Sequence, residues 1–407
     1  MKLLIADKLE THAIEELKHL GVEVVYDPEL TRDSLPKALV GVGILVVRST
    51  QVTAAAIDAG KQLHLVVRAG AGTNTIDVQA ASARGIYVAN CPGKNAVAVA
   101  ELTMGLLCAL DRRIPDATER IRAGRWEKGE FSKADGLYGK TLGLAGFGAI
   151  AKEVAQRARG FGMTVLAYSR SLTPQRAAEH GVAFARSLEE LASRCHALSV
   201  HLPLTDRTQA ILSKSILDAL PDGAMVINTA RAELVDWPAL QEAMARKKLR
   251  VGTDVLPEEP AGASAELVSA FVAAARENKS ILYVTPHVGA STTQAQNAIA
   301  GETVRIVRSF LVSGEVPNVV NVCARSPARY QMVVRSLDKV GVLANVLSVI
   351  KRHGLNVEEL SSTIFDGAIA ACTKLRVTGR PSEACISEIK AFDEVMGIDV
   401  VALPNLA

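Results

Sequence analysis

Short apolar runs alternate with amphipathic stretches from the first residue onward. KLLIAD, VEVVY, ILVV, HLVV and IYVA are continuous apolar runs rich in β-branched residues. They lack the strict alternation of a half-exposed strand, so the pattern predicts five strands buried on both faces. Between the first two, THAIEELKHLG has helical spacing and a stop at Gly21. Strand–helix–strand order implies a parallel sheet with helices on both faces. Helical spacing then runs from about Asn95 to Gly124, with Val97, Glu101, Leu102 and Leu106 in one long helix.

A second series follows. TLGLAG, TVLAYS, ALSVHL, AMVINT, RVGTDV and ILYVTP read as strands with helices between them. One such helix runs from Asp236 to Lys247, with Asp236 as N-cap and Pro238 in its first turn. STTQAQNAIAGETVRIVRSFLVSG predicts one long capped helix, and VPNVVNVCARSPAR reads as a linker. The tail runs strand (RYQMVVRSL), helix (VLANVLSVIKRHG), hairpin (LNVEELSSTI, FDGA, AIAACTKLRV), helix and strand (GIDVVAL). The expected fold class is therefore α/β: two doubly wound parallel-sheet, Rossmann-like domains and a C-terminal ferredoxin-like β-α-β-β-α-β domain.

Composition narrows the function. The 407 residues suffice for two to four domains. A net charge of +3 and an aromatic content of 4% argue against a nucleic-acid surface. Six cysteines (Cys91, Cys108, Cys195, Cys323, Cys372, Cys385) show no metal or redox spacing, so no metal site is expected and a reducing compartment fits. No apolar run reaches the length of a membrane span. The first apolar stretch breaks at Asp7, too early for a signal peptide. A soluble, cytoplasmic protein is expected, without membrane or nucleic-acid partners.

The first strand of the second series leads into GFGAIA. There Gly146, Phe147 and Gly148 form a turn that brings backbone close to a pyrophosphate, and Ala149 and Ile150 open the following helix, whose free N–H groups favour anions. Ala151 stands where the third glycine of such a fingerprint packs helix on strand. The next strand should end on a carboxylate that holds the adenosine ribose. It ends instead on Ser169 and Arg170, and an arginine there suits a 2′-phosphate.

Three further residues sit after later strands: Arg231 in INTARAELVD, Glu259 in TDVLPEEP and His287 in YVTPHVGAST. Each type alone is more often structural. Together they supply a cation to polarise a carbonyl, an acid/base, and a carboxylate to set its pKa, which is what hydride exchange with a hydroxy acid needs.

These segments resemble the D-isomer-specific 2-hydroxy acid dehydrogenase family along almost the whole chain, through GKTLGLAGFGAIAKEVAQRARGFGMTVLAYSR, HLPLT, GAMVINTARAELVD, GTDVLPEEP and TPHVGAST. The resemblance implies that Arg231 binds and polarises substrate, that His287 is the acid/base, that Glu259 pairs with it, and that Asp254 meets the nicotinamide carboxamide. Ala232 departs from the glycine usual after the arginine and is expected to crowd that loop. VRSTQVT, RAGAGTNTID, NCPGKNAVAVAELT and HVGASTTQAQ resemble the branch that oxidises 3-phosphoglycerate to 3-phosphooxypyruvate. This implies Arg48 and Ser49 at the phosphate end, backbone N–H groups of Ala71 and Gly72 on the carboxylate, Asn95 bordering the site, and Arg68 as a further anion ligand. NAD is the cofactor that the resemblance implies; Ser169 and Arg170 point to NADP as well.

The tail resembles the ACT regulatory domain. Effector contacts would fall on Ser336, Asp338 and Asn356, set between paired ACT domains. Only Asn356 keeps the residue of serine-inhibited enzymes, and Val340 replaces a proline, which argues against serine as effector. The resemblance further implies a homo-oligomer and boundaries at 1–94 with 288–325 for the substrate side, 95–287 for the dinucleotide side and 326–407 for the ACT domain. Two alternatives stay open: a reductase of glyoxylate or hydroxypyruvate in the same family, and a non-catalytic dinucleotide-sensing corepressor.

Overall fold

The computed structural model describes residues 1–260, 265–323 and 326–404. It divides into two compact units, Met1–Asn321 and Val322–Ala407.

In the first unit, β1 (Lys2–Ile5), β2 (Glu23–Tyr26), β3 (Val42–Val47), β4 (Leu65–Arg68) and β5 (Tyr87–Asn90) form a parallel sheet in the order β2-β1-β3-β4-β5. The residues of β3 are buried throughout, as continuous apolar runs predict. Helix α1 (Thr11–Lys18) ends shortly before Gly21, whose φ is +76°.

The second sheet is also parallel. Its strands are β6 (Thr141–Ala145), β7 (Thr164–Tyr168), β8 (Ala183–Phe184), β9 (Ala197–Val200), β10 (Met225–Asn228), β11 (Arg250–Thr253) and β12 (Leu282–Val284), in the order β12-β11-β10-β9-β6-β7-β8. The two-residue β8 is too short to give a sequence pattern. Strand order reverses between β6 and β9, which places the crevice of a doubly wound sheet there.

The helix expected over 95–124 is interrupted. Helix α2 covers Ala96–Arg112, Arg113 turns left-handed at φ +52°, and a separate helix spans Ile114–Arg122. Pro115 is the physical reason, since its ring cannot sit against the carbonyl four residues back in a continuous helix. Helix α3 is Ala149–Gly160, and α4 is Trp237–Lys247, capped by the Asp236 side chain on the Ala239 N–H. Helix α5, Thr293–Ser313, is capped by the Thr292 side chain and stopped by Gly314 at φ +75°. Its Ile299, Ala300, Val304, Ile306 and Val307 pack with Leu3, Ile5, Ile44 and Val67 of the first sheet. Helix α2 instead contributes Leu106, Leu107 and Leu110 to the core of the second sheet.

The segment read as a linker is partly sheet. Val319 bridges Ala89 in antiparallel fashion, and the Val320 N–H donates to the Val88 carbonyl at 2.8 Å. The Asn321 side chain accepts from the Val88 N–H and donates to the Ile86 carbonyl, both at 2.8 Å. Asparagine amides satisfying edge backbone, rather than apolar periodicity, hold this stretch down, and that is why its pattern looked like a linker.

The second unit contains β13 (Tyr330–Leu337), α6 (Val342–Arg352), β14 (Val357–Ile364), β15 (Ala370–Val377), α7 (Glu383–Lys390) and β16 (Val395–Ala402). Its antiparallel sheet has the order β14-β15-β13-β16, and Val346, Val349, Ile350 and Ile389 of the helices pack on Met332, Val334 and Leu375. Among the described residues no helix is long and apolar enough to cross a membrane.

Candidate active site

In the first unit the C-terminal ends of both parallel sheets open on one cavity of about 730 Å³. Strands β3 and β4 deliver Arg48, Ser49 and Arg68, and the loop after β4 delivers Ala71 and Gly72. Strands β10, β11 and β12 deliver Arg231, Asp254 and His287, while Asn95 and Ile150 come from the starts of α2 and α3. Residues as distant in sequence as Arg48 and His287 thus share a wall because both sheets point the same strand ends inward.

His287 is held at a left-handed φ of +51°, uncommon for a residue with a side chain. Its N–H donates to the Asp254 carbonyl at 2.9 Å, and its Nδ1 lies 2.8 Å from Glu259 Oε2. Glu259 Oε1 accepts from the Leu256 N–H at 3.0 Å. The hydrogen bond that His287 donates to Glu259 raises the His287 pKa above its ordinary 6.5, against opposition from burial. Burial pushes the Glu259 carboxyl upward, but the His287 and Leu256 hydrogen bonds outweigh it and hold the carboxyl below its usual range. With Nδ1 turned to a carboxylate, Nε2 is the nitrogen left for a substrate.

Asp254 does more than the resemblance implied. Its Oδ1 accepts from Thr285 Oγ1 at 2.5 Å and the Val288 N–H at 2.9 Å, and its Oδ2 accepts from the Gly289 N–H at 2.8 Å. Three of about four acceptor positions on the carboxylate therefore clamp the loop that carries His287.

Arg231 stands on an equally fixed loop. Asn228 Nδ2 donates to the Arg231 carbonyl at 2.8 Å, and Asn228 Oδ1 accepts from the Ala230 N–H at 2.9 Å. A Cβ on Gly72 would lie 2.5 Å from Arg231 Nη2, so glycine lets the guanidinium lie against the 70–72 turn. Ala232, expected to crowd this loop, opens a 3-10 turn and is buried, its carbonyl accepting from Trp237 Nε1 at 2.9 Å.

Arg48, Arg68 and Arg231 form a cationic group. Burial lowers the Arg68 pKa first, and the charges of Arg231 and Arg48 lower it further. Among the described residues none of the three has a carboxylate within ion-pair distance. The Ala71 carbonyl accepts from Asn90 Nδ2 at 2.5 Å, which fixes a turn that lines the cavity.

The dinucleotide fingerprint lies at the point where strand order reverses. Gly146 has φ +95°, and a Cβ there would lie 2.6 Å from the His201 carbonyl after β9. Its N–H donates to the Tyr168 carbonyl at 2.8 Å. Gly148 caps α3 without any side-chain hydrogen bond, so the N–H groups of the first turn, including Ala149 and Ile150, stay available to an anion. Phe147 packs edge-on against His180, centroids 5.5 Å apart. Ser169 and Arg170 follow β7 outside the cavity wall, with Arg170 exposed. The tight glycine turn, uncapped helix and adjoining cavity fit a nicotinamide dinucleotide.

Sequence reasoning passed over several residues here. His201 lines the cavity with its Nε2 2.9 Å from Ser199 Oγ, and burial pushes its pKa down to about 4. Gln296 of α5 lines the cavity and donates to the Ala290 carbonyl at 2.7 Å. Asp7 holds the backbone that carries Arg48. Their signal was positional only, since each follows a strand or opens a helix at the sheet ends where ligands bind.

Comparison with known proteins decides the family. The sequence model described as "D-isomer specific 2-hydroxyacid dehydrogenase, NAD binding domain" matches residues 104–289. The D-3-phosphoglycerate dehydrogenase of Methanocaldococcus jannaschii is 36% identical over 372 residues, covering 91% of this chain and 68% of that one. The chain belongs to the D-isomer-specific 2-hydroxyacid dehydrogenase family. Another family relative, the hydroxypyruvate reductase of Thermotoga maritima, is 39% identical over 302 residues, 74% of this chain and 95% of that one. The NAD⁺-bound 3-phosphoglycerate dehydrogenase of Entamoeba histolytica superposes with a TM-score of 0.66 at 28% identity, over 79% of this chain and 99% of that one. The chain spans 64% of the length of the D-3-phosphoglycerate dehydrogenases of Mycobacterium bovis and Mycobacterium tuberculosis that it matches.

The three expected effector residues do not meet within one chain. Ser336 pairs with Ala371 near the end of β13, opposite Ile364. Asn356 precedes Val357, which lies at the Tyr330 end of the sheet. Six residues along a strand separate them, roughly 20 Å. Ser336 is buried, and Asn356 Nδ2 donates to Glu358 Oε1 at 2.6 Å. The β13 end that carries Ser336 also leads into Asp338, whose N–H donates to the Ile369 carbonyl.

Proposed function

We propose that this chain oxidises D-3-phosphoglycerate to 3-phosphooxypyruvate with NAD, and accepts NADP. The observation that carries the reading is the His287–Glu259 pair at 2.8 Å beside a cavity that also holds three guanidiniums with no carboxylate partner among the described residues. Such a cavity suits a small substrate with an anion at each end. The Ala71 and Gly72 N–H groups and Arg231 take the carboxylate. Arg48, Ser49 and Arg68 face the phosphate, for which guanidinium forks are well shaped. Asn95 borders the site. The bound nicotinamide supplies a two-electron acceptor for the hydrogen on carbon 2. His287 Nε2 takes the hydroxyl proton, and Glu259 stabilises the imidazolium that results. Arg231 favours the carbonyl oxygen as it forms. Asp254 keeps His287 in register.

Reduction of hydroxypyruvate is the second reading. Ser169 and Arg170 favour it, because the end of β7 lacks the carboxylate that would repel a 2′-phosphate. The proposal includes a homo-oligomer, in which paired ACT domains bring Ser336 and Asp338 of one copy near Asn356 of another around a small effector.

Initial rates with 3-phosphoglycerate and D-glycerate, and with hydroxypyruvate and glyoxylate in reduction, each against both cofactors, test the reading. The highest kcat/KM is expected for 3-phosphoglycerate, and Ser169→Asp should raise the NAD-to-NADP ratio about tenfold or more, the worth of a charged hydrogen bond. Faster turnover of the unphosphorylated pair would assign the chain to the reductases.

A further inference from the structure

Arg48 and Ser49 reach the cavity from a turn whose backbone has an unusual partner. Asp7 Oδ2 accepts three consecutive N–H groups: Arg48 at 2.7 Å, Ser49 at 3.0 Å and Thr50 at 3.0 Å. Consecutive N–H groups converging on one point form a concave anion receptor. In a phosphate-binding loop such a receptor takes the ligand; here a carboxylate of the chain itself fills it. Asp7 reaches it because β1 and β3 are adjacent parallel strands, with the Ala6 N–H donating to the Val46 carbonyl at 3.0 Å. Thr50 Oγ1 ties the same turn to the Ala6 and Leu30 carbonyls, both at 3.3 Å.

Two consequences follow. The turn is fixed from behind, so the Arg48 and Ser49 side chains project to the cavity side. Asp7 is also engaged by backbone rather than by a guanidinium, so it does not form an ion pair with Arg48 or Arg68, although its charge still acts on Arg68. Arg48 is left free for an anion supplied by the substrate.

We propose that Asp7 is a positioning residue for the anionic end of the substrate, setting selectivity for a phosphorylated over an unphosphorylated 2-oxo acid. This rests on the substrate reading given above. The test uses Asp7→Ala and Asp7→Asn in the full chain, assayed with 3-phosphooxypyruvate and with hydroxypyruvate. Both variants should raise KM for 3-phosphooxypyruvate at least tenfold, with Asp7→Asn the milder because its amide oxygen still accepts. KM for NADH and the kcat/KM for hydroxypyruvate should move less than about threefold. Hydrogen exchange of the 44–52 backbone, measured without substrate, should quicken in Asp7→Ala. A loss shared equally by both substrates, a fall in kcat with KM unmoved, or unchanged exchange in that segment overturns the proposal. If wild-type enzyme prefers hydroxypyruvate, the substrate reading fails instead, and the exchange experiment still decides whether Asp7 holds the turn.

Discussion

His287 and Glu259 are the pair whose chemistry is most directly testable. Glu259 favours imidazolium, so the His287 pKa lies above 6.5. Oxidation needs the neutral ring and should rise as pH climbs through that raised value; reduction needs the charged ring and should fall over the same range. Glu259→Gln removes the lift, so both limbs should move toward acid. His287→Ala should cost roughly two to four decades of kcat while leaving NADH binding within about twofold. Rapid kinetics across pH with both variants checks this, and a profile unmoved in Glu259→Gln would remove the pair from the mechanism.

At the scale of elements, α5 is fastened to the loop before α2 by a buried carboxylate. Glu302 meets Arg305 at 2.5 Å, Asn318 Nδ2 at 2.7 Å and Lys94 at 3.2 Å. The hydrogen bond from Arg305 leads in lowering its pKa to about 2. A depressed carboxyl stabilises fully above its unfolded value near 4.5 and loses that contribution as pH falls through about 2. Glu302→Gln should therefore destabilise at neutral pH by about 1 kcal/mol, because the buried acceptor loses the charge that strengthens its bonds to part-exposed donors free to re-solvate. The difference from wild type should shrink below pH 4.5. Thermal melts at pH 7 and pH 3 measure both.

For the whole molecule, every residue given a chemical role lies in the unit Met1–Asn321. Asn321 belongs with it, because its side chain completes the edge of β5. A chain ending after Cys323 should melt cooperatively and keep its kcat within about threefold. One ending at Val316 should be less stable, because Asn318, Val320 and Asn321 are lost from the β5 edge. Calorimetry of the two truncations separates these outcomes.

Strand runs such as ILVV and TVLAYS were legible because burial on both faces requires continuous apolar sequence, and GFGAIA because a tight turn before a helix requires glycine. The Arg231, Glu259 and His287 segments were legible through family resemblance, since each motif is local. The break at Arg113 was obscured because apolar spacing continues across it while the prolyl ring acts on backbone. The 316–321 segment looked like a linker because side-chain amides, not periodicity, pair its backbone. Asp7, the Asp254 clamp and the junction of three arginines have no local signature. They exist only because parallel strands distant in sequence end side by side, and hydrogen bonds and charges act across that distance in space rather than along the chain.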